Sequence, residues 1–240
     1  MLHSHKFHSA FAEAETPPNT LTEGTYLQLR RDIIEGRLLP GEKLRVEHLK
    51  DRYGAGAGTL REALSLLLSD ALVVNEGQRG FRVAPMSLND LGDITRTRVL
   101  IEGEALRQSM VAGDDEWEAQ LVAAFHKLTR TEEKLGERDE GRLREWEARN
   151  REFHEALIAA CDSRWLRYLI GLLYRQSERY RHLVISHGTL ARDVHAEHTE
   201  IFDAALARDV DRALKAIERH IQITYESIRL LMPAEDGDAT

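Results

Sequence analysis

The sequence predicts a mainly α protein with two parts, an N-terminal winged helix-turn-helix domain and a C-terminal all-α antiparallel helical bundle. Residues 21–85 alternate short helical patterns with glycine-rich turns and end in two β-type triplets. From residue 86 onward, apolar residues recur at helical spacing almost throughout. The charge divides in the same way, because residues 20–83 hold ten basic and nine acidic residues whereas residues 84–240 carry a net charge of −8.

The N-terminal part begins with a predicted helix over Leu21–Glu35, in which apolar residues recur every three or four positions. Gly36 follows as a stop signal, and Pro40-Gly41 forms a turn. A second, short helix is predicted over Val46–Tyr53.

A glycine-rich segment, GAGAG at residues 54–58, separates the second helix from the third. Thr59 is predicted to cap the third helix, LREALSLLLSDAL, which carries leucine and alanine on one face. The triplets LVV and FRV, joined by the turn NEGQRG, predict a small hairpin. In a winged helix-turn-helix domain the third helix enters the DNA major groove, and the hairpin lies against the backbone or minor groove.

The remainder of the chain predicts a bundle of helices joined by short connections, so that neighbouring helices pack antiparallel. The connections are marked by short runs of glycine, aspartate and serine, and no β-pattern interrupts them. The predicted helices are Leu88–Met110, Asp115–Leu135, Gly141–Ala160, Trp165–His187, Leu190–Arg208 and Val210–Leu231.

The domain boundaries follow from these patterns. Residues 1–20 are expected to be a disordered lead-in, 21–85 the winged domain, 86–232 the helical domain and 233–240 a disordered tail. We expect no membrane span and no signal peptide, because no apolar run is long enough for either. The single cysteine, Cys161, excludes an internal disulfide and favours a reducing cytoplasm.

Polar residues interrupt the apolar face of one bundle helix. The stretch WEARNREFHEALIAAC places Asn150 and His154 one turn apart within a stripe that otherwise holds Trp146, Phe153 and Leu157. Similar interruptions occur on other helices: His198 lies between Val194 and Ile201, His220 beside Ile217 and Ile221, and Arg98 between Ile94 and Ile101.

Each of these polar residues alone has a simpler explanation. A single histidine on an apolar face is most often a core residue with its hydrogen bonds satisfied, Asn150 could be a buried amide, and Arg98 could extend from the stripe to solvent. Together, three imidazoles and one amide oxygen on three helices can converge on one cation, which would satisfy them at once. Such a ligand set suits Zn²⁺, Ni²⁺, Mn²⁺ or Fe²⁺ and does not choose among them.

Two motifs carry a family resemblance. The segment GEKLRVEHLKDRYGAGAGTLREALSLLLSDALV, followed by GQRGFRV, resembles the DNA-binding domain of the GntR family of bacterial transcription regulators. The helical segments RVLIEGEAL, NREFHEALIAA, HTEIFDAALARD and ALKAIERHI resemble the effector domain of its FadR-type branch, the FCD domain.

The resemblance implies roles for the bundle residues. In this branch the helical domain commonly binds a divalent metal through Asp or Asn and three histidines, beside a small organic acid. Asn150, where many members have Asp, and the three histidines His154, His198 and His220 match that motif in order. Arg98 matches the arginine that meets the effector carboxylate, and Glu102, one turn further on, is placed with it as an effector contact.

The resemblance also implies DNA contacts. Thr59 and Arg61 open the recognition helix, although Gly56, Ala57 and Gly58 stand where many members have Ser-Arg-Thr, so that an arginine that often meets DNA is missing. Basic side chains elsewhere in the domain are candidates for phosphate contacts, or else solvated surface arginines. These candidates are Arg45, Arg52, Arg79 and Arg82.

The combined interpretation is a cytoplasmic, metabolite-responsive transcriptional regulator, with a repressor as the expected mode of action. Two chains would form a homodimer that presents its recognition helices to a palindromic operator in double-stranded DNA. A small carboxylate would bind in the bundle and weaken DNA binding. Two alternatives stay open: a metal-dependent hydrolase or isomerase, with Glu102 or Glu197 as a base, and a sensor of the metal alone.

Overall fold

The computed structural model describes residues 18–134, 140–186 and 192–232, without the side chains of Gln78, Glu140 and residues 183–186. Most of the predicted lead-in and all of the predicted tail therefore lie outside the described residues. The described elements are α1 (Leu21–Ile34), β1 (Lys43–Leu44), α2 (Val46–Tyr53), α3 (Ala57–Ser69), β2 (Val73–Asn75), β3 (Phe81–Val83), α4 (Leu88–Ala112), α5 (Asp115–Glu132), α6 (Glu140–Leu157), α7 (Arg164–Ser186), α8 (Val194–Leu206) and α9 (Val210–Arg229).

The mainly α prediction with a winged helix-turn-helix followed by a helical bundle is confirmed. In the N-terminal part α1, α2 and α3 pack on one another and on the small sheet around an apolar core of leucine, isoleucine, valine and alanine. Leu29, Leu60 and Leu64 are completely buried at its centre. The described helices include none that is both long and apolar enough to cross a membrane.

The third helix begins earlier than predicted, and the prediction that Thr59 caps it is wrong. Gly54 adopts a left-handed conformation, with φ of 62°, and ends α2. Gly56 has an extended backbone and is the N-terminal cap, without a side-chain hydrogen bond. Thr59 therefore lies in the first turn of α3 rather than before it. Two residues without bulky side chains precede it, so local sequence preference could not mark the start of this helix.

The sheet has one strand more than the predicted hairpin. Strands β2 and β3 pair antiparallel, with Val73 opposite Val83, as the two apolar triplets predict. Strand β1 pairs with the other edge of β3, which gives the order β1-β3-β2. In this register Lys43 lies opposite Arg82. A strand of two residues leaves no alternation in the sequence, which is why β1 could not be predicted.

The bundle follows the predicted helix order, with corrections at helix ends. Helix α4 packs against α7 and α9, α5 against α6 and α8, and α8 against α9. Helix α8 begins at Val194 rather than Leu190, because the Asp193 side chain accepts a hydrogen bond from the Ala196 amide and caps the helix there. Helix α6 ends at Leu157 rather than Ala160. The Trp117 indole donates to the Ala156 carbonyl, at 2.9 Å, and fixes α5 against the end of α6.

Candidate metal centre and nucleic-acid interface

Three histidines from three helices meet in the interior of the bundle. One ring nitrogen each of His154 on α6, His198 on α8 and His220 on α9 lie within 4.8 Å of one another, and all three residues are buried. The ring centroids of His198 and His220 are 4.8 Å apart, and those of His154 and His220 are 5.3 Å apart. We call these residues the histidine cluster. They are the three histidines on which the sequence prediction of a metal site rests.

Two carboxylates fix the orientation of two of these rings. The Nδ1 atom of His198 lies 2.7 Å from Glu132 on α5, and the Nδ1 atom of His220 lies 2.8 Å from Glu197 on α8. A carboxylate accepts hydrogen bonds, so Nδ1 carries the proton in each ring and Nε2 keeps its lone pair. Histidines that bind metals are commonly held by such carboxylates through their second nitrogen.

Two buried polar atoms in this region have no hydrogen-bond partner among the described residues. They are Nε2 of His198 and Oδ1 of Asn150, which precedes His154 by one turn of α6. The Asn150 amide nitrogen donates to the Tyr174 hydroxyl at 2.7 Å. An unpaired buried polar atom costs about 1–3 kcal/mol. An imidazole nitrogen and an amide oxygen are ligand atoms, so the residues present fit a divalent cation.

The electrostatic surroundings keep the histidine cluster neutral. Burial lowers the pKa of all three histidines below the usual value of 6.5. Neighbouring histidine and arginine side chains lower the pKa of His154 and His220 further, whereas Glu132 partly opposes the effect of burial on His198. Neutral imidazole is the form that binds metals.

The predicted effector contacts, Arg98 and Glu102, are both buried and form an ion pair with each other. Arg98 Nε donates to a Glu102 carboxylate oxygen at 2.6 Å, and its Nη1 donates to the Ser177 hydroxyl at 3.1 Å. The guanidinium is therefore held inside the bundle and does not extend to solvent. A guanidinium has five N–H donors, and these bonds use two of them.

A second buried ion pair in the bundle also lies beside Tyr174. Arg181 on α7 binds Glu147 on α6 through two parallel hydrogen bonds, each of 3.1 Å. Its guanidinium carbon lies 4.4 Å from the centroid of the Tyr174 ring, and that of Arg98 lies 5.6 Å from it. The His154 ring lies 6.0 Å from the same tyrosine. Tyr174 therefore lies beside both arginines and near His154, and we call Arg98, Tyr174 and Arg181 the arginine side.

The predicted DNA contacts lie on the winged part. Arg61 is exposed on the first turns of α3, next to half-buried Thr59. Arg45, at the start of α2, and Arg79, in the turn between β2 and β3, are also exposed. Arg45, Arg61 and Arg79 form no ion pair in the described part of the chain, so their guanidinium groups are available for phosphates.

The other two candidate arginines have partners within the winged part. Arg52 pairs with Asp32 at 2.8 Å, and Arg82 pairs with Glu76 at 2.8 Å and also donates to the Gly41 carbonyl. Lys43, which sequence reasoning missed, is exposed and lies opposite Arg82 across the sheet. Directly opposite residues in an antiparallel pair share a face, so the wing presents two basic side chains together.

Sequence reasoning also missed several residues of the bundle site, and helical spacing was the signal that could have found them. Glu147 lies three residues before Asn150, and Tyr174, Ser177 and Arg181 lie three and four residues apart on α7. Glu147 and Arg181 were missed because a charged residue is normally placed at the surface. Glu197, the base of the hydrolase alternative, instead holds the His220 ring. Glu132 had no signal, since only the folded chain brings α5 beside α8.

Comparison with known proteins agrees with this architecture. Residues 21–83 match the gntR family of bacterial regulatory proteins, and residues 93–223 match the FCD domain. The HTH-type transcriptional regulator BphR of Paraburkholderia xenovorans is 46% identical, over 92% of this chain and 91% of that protein. The HTH-type transcriptional repressor GlaR of Escherichia coli is 38% identical, over 82% of this chain and 90% of that protein.

Solved structures show the same fold at lower identity. McbR/YncC of Escherichia coli superimposes with a TM-score of 0.73 at 20% identity, over 88% of this chain and 98% of that chain. A GntR regulator from Rhodococcus sp. RHA1 gives a TM-score of 0.69 over 88% and 99%. The family and the named relatives are regulators and not enzymes, so the hydrolase or isomerase alternative is wrong. The chain is a transcriptional regulator of the GntR family, with a helix-turn-helix DNA-binding domain and an FCD domain.

Proposed function

We propose that this regulator is a repressor whose FCD domain binds a divalent metal and a small organic acid, and that the acid weakens operator binding. One observation carries the proposal: a trio of buried, neutral histidines lies beside buried arginines, and ligand-type atoms at the trio lack hydrogen-bond partners. The domains are proposed to span residues 21–85 and 86–232. The protein would act in the cytoplasm, because it would bind chromosomal DNA there.

The proposed metal ligands are the histidine cluster and Asn150. Glu132 and Glu197 hold two of the rings so that each presents Nε2. A divalent cation would supply a fixed positive charge that attracts an anionic group. Zn²⁺, Ni²⁺, Mn²⁺ and Fe²⁺ all suit this donor set. Asn150 is neutral where an aspartate would add a negative charge, which favours an anion as the additional ligand.

The proposed effector contacts lie on the arginine side. Arg98 retains donors beyond those that bind Glu102 and Ser177, and it is held in place by both. A guanidinium in a fixed position binds a carboxylate through two parallel hydrogen bonds. Glu102 would then act by orienting Arg98 rather than by meeting the acid directly, since two carboxylates repel each other.

Regulators of this family typically act as dimers, and one exposed face supports the same assembly here. Trp165, Tyr168 and Leu169 follow one another at helical spacing on α7 and are exposed by 61%, 43% and 41%. An apolar stripe of this kind marks an association surface. In a twofold dimer the two recognition helices would reach successive major grooves of a palindromic operator, with Thr59 and Arg61 at base edges and Arg45 and Arg79 at phosphates. Arg52 and Arg82 would have to leave or share their carboxylate partners.

A screen of small carboxylic acids tests this proposal. Each acid is added to the Zn²⁺-loaded dimer on its operator, identified by selection from random duplex DNA, and release is followed by fluorescence anisotropy. We expect at least one acid to release wild-type protein and to leave Arg98→Ala bound, with each protein assayed at a concentration that saturates the operator. Release of both proteins by the same acid would remove Arg98 from the site. If no acid is effective and release instead follows a change in Zn²⁺ concentration, the result would favour a sensor of the metal alone.

A further inference from the structure

Helix α7 lies between the two parts of the molecule and contacts both. It packs against α4 and α9 within the bundle and against α1 of the winged part. Resting on the function proposed above, we propose that Glu178 and the α7 residues beside it position the winged domain on the bundle. Through these residues of α7, a structural change at the arginine side alters the position of the recognition helix.

Helix α7 contacts the winged part at the C-terminal ends of α3 and of β3. Asp70 is the C-terminal cap of α3, and its backbone carbonyl accepts from Gln176 at 2.5 Å while its carboxylate pairs with Arg175 at 3.1 Å. Arg179 donates to the carbonyl of Ala84, immediately after β3, at 2.6 Å. Helix α7 therefore holds the recognition helix at the end opposite Thr59 and Arg61, and the wing at the end of β3.

A buried ion pair completes this interface. Arg30 of α1 donates to Glu178 at 3.0 Å, and both side chains are almost completely buried. The buried polar residues of the described winged part, Thr25 and Arg30, are both on α1, and Arg30 is the one that faces α7. A buried ion pair contributes little net stability compared with apolar packing, but it requires one geometry, because displacement leaves two uncompensated charges. Glu178 thus specifies how the two parts fit together.

The same two turns of α7 form the arginine side. Ser177, adjacent to Glu178, accepts the hydrogen bond from Arg98, and Tyr174 accepts the one from Asn150. Arg30, Arg151 and Arg181 all favour the charged form of Glu178 and lower its pKa against the opposing effect of burial. Glu178 is therefore coupled electrostatically to the winged part through Arg30 and to the bundle through Arg151 and Arg181.

These contacts make a physical link because a helix moves as a rigid element. A rotation or shift of α7 that improves contacts of Arg98 or Arg181 with a bound anion must move Gln176, Glu178 and Arg179 as well. Their partners are Asp70, Arg30 and the Ala84 carbonyl, so the ends of α3 and of the wing move with α7. In a dimer, this would change the separation of the two recognition helices.

Hydrogen–deuterium exchange of the full chain, in EDTA and without any acid, tests the link independently of metal and effector binding. Glu178→Gln should accelerate amide exchange at the C-terminal turn of α3, in β3 and in α4 around Arg98 by at least about fivefold, the lower end of typical coupling. The matched control is Glu226→Gln, which removes an exposed charge of α9 and should change none of these amides.

Ser177→Ala decides the proposal if Glu178→Gln does not fold, because it removes only a hydroxyl on the side of Arg98. It should accelerate exchange at the C-terminal turn of α3, although Ser177 forms no hydrogen bond with the described residues of the winged part. Acceleration confined to α4 and α7, with α3 and β3 unchanged, would overturn the proposal. If no acid is active in the screen but Ser177→Ala accelerates exchange in α3, the link through α7 stands and only the proposed effector is removed.

Discussion

The two parts of this molecule treat charge in opposite ways. The winged part surrounds an apolar core and keeps its charged residues at the surface, with Arg30, at the boundary with α7, as the buried exception among its described residues. The bundle buries arginines, glutamates and histidines in its middle, next to an apolar core of its own. Breaking an ion pair at the surface costs little stability, whereas a buried charge without a partner costs several kcal/mol.

Under the proposed function, the difference indicates where each part meets its partner. DNA is a polyanion that is read at a surface, so exposed and unpaired arginines serve recognition. A small anion that must be distinguished from others needs a desolvated site, where donors are fixed before the ligand arrives. The buried pairs Arg98–Glu102 and Arg181–Glu147 fix such donors. The following predictions test this contrast, from the largest expected effect to the smallest.

Removing one partner from an ion pair should cost far more in the bundle than in the winged part. Glu147→Ala leaves Arg181 buried without its carboxylate, so we expect the free energy of unfolding to fall by about 3–5 kcal/mol. Arg52→Ala, which breaks the exposed pair with Asp32, should cost about 0–1 kcal/mol. Urea unfolding followed by circular dichroism measures both. Equal costs for the two variants would refute the contrast.

The recognition helix should show the reverse behaviour, with a large effect on binding and little on stability. Arg61→Ala should weaken operator binding by about 1–3 kcal/mol if the guanidinium meets a base. Arg167→Ala, an exposed arginine of α7, is the matched control and should leave binding unchanged. A gel-shift titration at constant salt compares the two. Identical affinities for Arg61→Ala and wild type would remove this arginine from the interface.

Metal affinity should depend on a residue that does not itself bind the metal. Glu132 holds the His198 ring through Nδ1 and also accepts from His195 at 2.9 Å. Glu132→Gln should lower Zn²⁺ affinity about 10–100-fold, because a neutral amide is a weaker acceptor than the carboxylate that orients the ring and raises its basicity. The control is Glu133→Gln, the exposed neighbour. Competition with a fluorescent zinc chelator measures affinity, and equal values for both variants would show that Glu132 has no such role.

The pH dependence of stability should follow from the neutral histidine cluster. Since burial lowers the pKa of these histidines in the folded chain, the unfolded chain binds more protons below about pH 6.5, and stability is lost as the pH falls. Between pH 7 and pH 6 each histidine should cost less than about 1 kcal/mol. Urea unfolding in EDTA checks this, with His154→Gln/His220→Gln giving a shallower slope. An unchanged slope in that variant would contradict the assignment.

The fold could be predicted from the sequence because most of its elements carry strong periodic patterns. Helices α2 and α9 were located almost to the residue, since turn signals flank an apolar stripe in each. Strand β1 and the start of α3 could not be predicted. Strand β1 is too short to show alternation. The start of α3 is preceded by glycine and alanine, which have no capping side chain.

The candidate site could be predicted only where a polar residue interrupts an apolar face. This rule singled out Arg98, Asn150, His154, His198 and His220, all of which are buried. It missed Glu132 and Arg181, whose importance comes from contacts between helices that are distant in the sequence. Spacing along a helix identifies a face, but only the packed bundle shows which faces meet.

The metal content of the purified protein tests the central claim most directly. Wild-type protein loaded with Zn²⁺ and passed through a desalting column should retain about one metal ion per chain by elemental analysis. His154→Ala/His198→Ala should retain essentially none, while His126→Ala, which removes an exposed histidine of α5, should match wild type. Equal metal-to-protein ratios in all three proteins would contradict a metal centre at the histidine cluster.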